Sequence, residues 1–183
     1  MLLGIEHVTI APSDTVVTPL RFDSYPYSHS LVALATWGVL AAVMYRVVRG
    51  SRTTTAAAVI AGVVISHWVL DWITHRPDMP ITLGGSQRFG LELWSSKPAT
   101  MIVENIMFFT GVTMYARATR PRDKTGTSTL AGLVLFLLVI HVASMFSPPP
   151  ATPEAIAWAA QSIWILVAWG YWVDGHRTTS ITG

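Results

Sequence analysis

The chain has 183 residues, of which 51% are hydrophobic and only 12% charged, against about 25% charged in soluble domains. A soluble domain this short cannot bury so much apolar surface, so lipid must serve as part of its solvent. With no cysteine, disulfides, thiolate ligands and cysteine nucleophiles are excluded.

The net charge is +2, and its distribution decides what it means. The opening Met1-Leu-Leu-Gly-Ile5 lacks the basic region of a signal peptide and runs straight into Glu6 and His7. Residues 1–28 are turn-rich, with Val8-Thr-Ile10 and Thr15-Val-Val17 as short strand candidates, and are expected as an extramembrane segment packed over helix ends. Five apolar runs then approach the ~20 residues that a bilayer requires. They lie at about 29–48, 55–74, 98–118, 127–146 and 153–173. Ser28 or Ser30 is a candidate cap for the first, and Gly50 closes it. Pro77 stops the second, Pro98 opens the third, and Pro148-Pro149-Pro150 follows the fourth. Gly62, among Ala58 and Ala61, is expected to allow close helix packing. Residues 75–97 form a longer loop whose Phe89, Leu91, Leu93 and Trp94 suit an interface. The expected fold is an all-α integral membrane bundle of about five spans, one domain over 1–183, with an extramembrane N-terminal segment and one longer outer loop.

Assigning the loops at 49–54 and 117–126 and the C-terminal tail to the cytoplasm collects eight of the 12 basic residues there: Arg46, Arg49, Arg52, Arg117, Arg120, Arg122, Lys124 and Arg177. That bias is the positive-inside pattern, so the basic residues need no nucleic acid to explain them. Trp72, Trp94 and Trp172 fit aromatic belts near the span ends.

This topology puts every strongly polar side chain of the spans in the outer half: His29, His67, Asp71, Glu104, His141 and Gln161. Ionisable groups inside a membrane are costly and mark a site or pathway. His67, Asp71 and His75 recur every four residues and share one helix face. A His and a carboxylate one turn apart can chelate a divalent ion such as zinc or manganese, with His29 as third ligand from the neighbouring helix. His67 and His75 are roughly 12 Å apart along the axis, too far to share one ion, so one of the two takes another role; His75, at the rim, is the candidate catalytic group. Glu104 is expected as a further ligand or as the general base. Arg76 and Asp78 are expected at the substrate, Arg76 suiting an anionic group such as phosphate. The alternative for His67 and Asp71 is a hydrogen bond that fixes helix packing. His7 and His176 are expected at the surface.

Tyr27-Ser-His-Ser-Leu31, followed by Ser66-His-Trp-Val-Leu-Asp71 and Thr74-His-Arg-Pro-Asp78, resembles the bacterial family of predicted inner-membrane metal-dependent hydrolases. The resemblance covers residues 25–80, and beyond them only the helix count and Gly90-Leu-Glu-Leu-Trp94. It implies a multi-pass protein of the bacterial inner membrane with His29, His67 and Asp71 at the metal. Members of that family carry a further N-terminal hydrophobic region with its own His and Asp ahead of the part matching residues 5–28. An even span count would also fit them better. The expectation is that either the gene begins late or this version lacks part of the site. Two other functions compete with hydrolysis. One is a non-catalytic accessory subunit that packs Trp158, Trp164, Trp169 and Trp172 against other membrane subunits. The other, weaker, is a transporter or proton pathway through Glu104, His141 and Asp71.

Overall fold

In the computed structural model, residues 4–50 and 53–180 are described; Arg52, counted above among the cytoplasmic basic residues, and the opening residues 1–3 lie outside them. The chain divides into two compact units, one ending at Ser96 and the other starting at Lys97.

The first unit opens with an antiparallel hairpin of β1 (His7–Ile10) and β2 (Leu20–Ser24), with Val8 opposite Phe22 and Ile10 opposite Leu20. Thr15-Val-Val17 is not the second strand. The Thr15 hydroxyl accepts from the Thr18 N–H at 3.1 Å and donates to the Thr18 carbonyl at 2.7 Å, folding that piece into the hairpin's loop. The single turn α1 (Pro26–His29) follows, and Ser30 breaks it with an extended backbone. The fully buried Ser30 hydroxyl then caps α2 (Leu31–Arg49) by accepting from the Ala33 N–H at 3.2 Å. Gly50, at φ 91°, ends α2 as expected.

Helix α3 (Thr54–Thr74) packs along α2. The small residue that allows their close approach is Gly38, not Gly62. A Cβ on Gly38 would stand 3.0 Å from the Ala61 carbonyl oxygen, whereas one on Gly62 would meet nothing within 4 Å.

The loop expected at 75–97 folds back over the end of α3. The Leu91 N–H donates to the Trp72 carbonyl and the Glu92 N–H to the His75 carbonyl, both at 2.8 Å, filling acceptors that a helix end leaves open. Gly90 is required there, since a Cβ would collide with the backbone of His75 and Arg76. A two-residue ladder of β3 (Met79–Pro80) and β4 (Arg88–Phe89) and a 3₁₀ turn at Leu93–Ser95 complete the layer. The N-terminal hairpin joins this layer, with Phe22 packed 4.7 Å from the His75 ring, so the segment does cover the helix ends.

The second unit contains α4 (Lys97–Ala118), α5 (Lys124–Ser144), α6 (Pro153–Ala160) and α7 (Ile163–Gly175). The last two stand where one continuous span was expected. Three-residue hydrogen bonds from Gln161 to Trp158 and from Ser162 to Ala159, each 3.0 Å, form the turn between them. A short clip of β5 (Thr119–Pro121) and β6 (Arg177–Thr179) ties the end of α4 to the C-terminal segment. Arg177 is buried rather than lying in a polar tail, donating to the Thr119 hydroxyl at 2.8 Å and the Gly126 carbonyl at 3.0 Å. Trp169 on α7 donates to the Thr129 carbonyl of α5 at 3.1 Å, with its ring against Gly132.

Among the described residues, four stretches are long and apolar enough to cross a membrane: Leu31–Arg49, Thr54–Thr74, Lys124–Ser144 and Pro153–Gly175. Large apolar side chains such as Met44, Val47, Val63 and Ile165 point outward on them, which suits lipid rather than water. Helix α4 has the length, but Glu104, Asn105, Thr100, Thr110 and Thr113 dilute its apolar character.

Gly38→Leu should cost about 1–3 kcal/mol, because a Cβ there already stands 3.0 Å from the Ala61 carbonyl oxygen and the rest of the leucine has to fit beyond it. Gly62→Leu should change stability by less than about 0.5 kcal/mol. Thermal unfolding of both variants in detergent micelles checks the contrast.

Candidate metal centre

His67 and Asp71 lie on the last two turns of α3, and His29 closes α1 just before the capping Ser30. One oxygen is the meeting point. Asp71 Oδ2 is 3.0 Å from His67 Nε2 and 3.7 Å from His29 Nε2. The prospective ligand atoms of the three residues all lie within 4.8 Å of one another. The His29 and His67 rings meet edge to face with centroids 5.1 Å apart.

Asp71 Oδ2 is buried, and among the described residues no donor reaches it with hydrogen-bond geometry. A buried carboxylate oxygen left this way is unfavourable unless a cation compensates it. Two imidazoles and one carboxylate form a donor set of the type that binds a divalent ion and leaves a coordination position open. The residues present therefore fit a metal.

The other residues expected at the site divide between two surroundings. His75 is buried, enclosed by Phe22, Tyr25 and Trp94 at ring centroid distances of 4.7, 6.4 and 4.6 Å. Its Nδ1 lies 3.0 Å from Asp78 Oδ1, and its ring is 6.3 Å from that of His29. It thus packs beside the cluster of three rather than within it. Burial raises the Tyr25 phenol well above its ordinary range, so the hydroxyl remains a donor, here to the Asp78 carbonyl at 3.0 Å.

Arg76 and Asp78 are joined in a chain of ion pairs. Arg76 Nε donates to Asp78 Oδ2 at 3.1 Å and its Nη1 to Asp14, while Arg21 grips Asp14 with two bonds of 2.8 Å. Burial opposes ionisation of Asp78, but hydrogen bonds from His75, Tyr25 and Arg76 outweigh it and hold the carboxyl below its ordinary value. Arg76 thus already has two carboxylate partners.

Glu104 belongs to the second unit, where its Oε2 lies 3.4 Å from His141 Nδ1. The pair lines a cavity of about 260 Å³ with Phe108, Leu137 and Leu138. Gln161 bonds only weakly, to the Ala157 carbonyl of the preceding turn at 3.5 Å. His176 is partly exposed and pairs with Asp123 at 2.8 Å.

Sequence reasoning assigned no site role to Glu6, Ser28 and Asp14. Glu6 accepts from the Ser28 hydroxyl at 2.6 Å, and that hydroxyl lies 2.6 Å from His29 Nδ1. Only the Ser-His-Ser spelling around His29 hinted at such a contact.

The hydrogen bond from Arg21, with Arg76 alongside, lowers Asp14 from 3.8 to about 2. A lowered carboxylate contributes stability that is complete above its unfolded value and lost as pH falls through its folded one. Thermal stability should therefore decline between pH 4 and pH 2, and Asp14→Asn should make that decline shallower while lowering the melting temperature at pH 7. Melting curves across this range in detergent check both.

No protein-family model matches the chain, and no curated protein or solved structure shows significant similarity to it.

Proposed function

We propose that the chain is a membrane-embedded metal-dependent hydrolase of the bacterial inner membrane, with one divalent ion held by His29, His67 and Asp71. The observation that carries the reading is the buried Asp71 oxygen, which faces two imidazole nitrogens and has no hydrogen-bond partner among the described residues. Two features support it further. The ligand residues stand in the Ser-His-Ser-Leu and His-x-x-x-Asp motifs that resemble the predicted hydrolase family, and the four apolar stretches suit a multi-pass membrane protein.

A zinc or manganese ion bound there supplies Lewis acidity, which makes water a competent nucleophile near neutral pH and stabilises charge developing on a phosphoryl or acyl oxygen. His29, His67 and Asp71 would hold it, beside the buried ring of His75. Lipid-linked or phosphorylated compounds at the outer face are the substrate class in this reading. In the five-span reading of the sequence, the positive-inside bias favours that face.

A non-catalytic accessory subunit is the second reading. It is favoured by Trp158, Trp164 and Tyr171, which are 67%, 68% and 77% exposed in the second unit. Such a subunit would copurify from native membrane with a stoichiometric membrane partner.

Purified full-length protein should hold about one transition-metal ion per chain. His67→Ala and Asp71→Ala should each lose it, without loss of folding for His67→Ala because that side chain is half exposed. Equal metal content in the wild type and both variants, measured by elemental mass spectrometry, would overturn the proposal.

A further inference from the structure

We infer that Glu6, acting through the Ser28 hydroxyl, fixes His29 with its proton on Nδ1 and its Nε2 lone pair turned towards Asp71. Its purpose rests on the metal reading above; its geometry does not.

The reasoning is a count of protons. At neutral pH a carboxylate only accepts hydrogen bonds, and a serine hydroxyl has one proton to give. Ser28 Oγ lies 2.6 Å from Glu6 Oε2 and 2.6 Å from His29 Nδ1. The hydroxyl must spend its proton on Glu6, so towards His29 it can only accept. The imidazole therefore donates from Nδ1, and a neutral ring protonated there is bare at Nε2.

Glu6 cannot simply swing away. Its other oxygen accepts the backbone N–H groups of Tyr27 at 3.0 Å and Ser28 at 2.9 Å, so at least three bonds hold the carboxylate at the start of α1. The bare Nε2 faces Asp71 Oδ2 at 3.7 Å. Two electron-rich atoms are thus aimed at each other across a gap, an arrangement that a cation between them would stabilise. Outer partners of this kind set the tautomer and basicity of a ligating histidine. Glu6 is accordingly a positioning residue, one hydroxyl removed from the proposed ligand.

The test uses full-length, metal-free protein carrying ¹⁵N-labelled histidine in detergent micelles, with the His29 signals identified by their loss in His29→Gln. Wild type should show Nδ1 protonated and Nε2 bare. In Glu6→Gln the remaining oxygen can keep both backbone N–H groups, because turning the amide round would set its own donors against them. The new NH₂ would then donate to Ser28, free the hydroxyl to point at His29, and move the proton to Nε2. Zinc affinity should fall about 10- to 100-fold in Glu6→Gln, and Ser28→Thr, which keeps a hydroxyl, should retain the wild-type tautomer. A wild type protonated on Nε2, or a Glu6→Gln variant with an unchanged tautomer, would overturn the inference. If the tautomer inverts as expected but wild type takes up no zinc, the metal reading fails and the relay from Glu6 stands.

Discussion

A carboxylate set among apolar helices has to be compensated by whatever lies within a few ångströms, and Asp71 imposes that condition on the first unit. Its buried oxygen has two imidazoles for neighbours and, among the described residues, no hydrogen bond to satisfy it. Removing one partner from a buried charged group costs more than forming the group's contacts returns. His29, which must reach Asp71 from a different element, is accordingly held by several independent devices. Ser30 caps α2 directly behind it, Ser28 engages its Nδ1, and α2 runs close enough to α3 for Gly38 to meet the Ala61 backbone.

The layer over these helix ends solves a related problem. The last carbonyls of α3 have no partners within the helix. Leu91 and Glu92 reach back to supply two of the missing donors, and the glycine at 90 lets the chain come near enough to do so. Once that segment is down, Trp94, Phe22 and Tyr25 close around His75, and Asp14 and Asp78 share Arg76 between the hairpin and the turn after α3. The aromatic contacts thus bury His75 beside the three ligand candidates, while the ion pairs tie the hairpin to the turn after α3.

The second unit meets the same physics with different residues. Arg177 is taken out of water at the clip between β5 and β6, where backbone carbonyls and the Thr119 hydroxyl replace its hydration, and its guanidinium lies over the Tyr115 ring. Glu104 and His141 pair with each other at 3.4 Å across α4 and α5. An ionisable residue in an apolar helix finds a nearby complement, because hydrocarbon offers none.

Much of this was legible in the sequence because it depends on local spacing. Runs of about twenty apolar residues, prolines that stop helices, Gly50 at a helix end, and His67 one turn from Asp71 are all decided within a few residues of chain. The clustering of His29 with that pair was also foreseeable, since a short link between two apolar runs brings their far ends together. Other features were not legible. Which small residue meets the neighbouring helix depends on helix rotation, and it proved to be Gly38 rather than Gly62. The break at Gln161 and Ser162 carries no proline or glycine to announce it. Arg76 has the composition of an anion site, yet Asp14, 62 positions earlier, occupies it, and Glu6 reaches Ser28 from 22 positions away. Local apolar composition decides which segments are long and apolar enough to cross a membrane, but a charge chooses its partner by distance in space, and only the folded chain sets those distances.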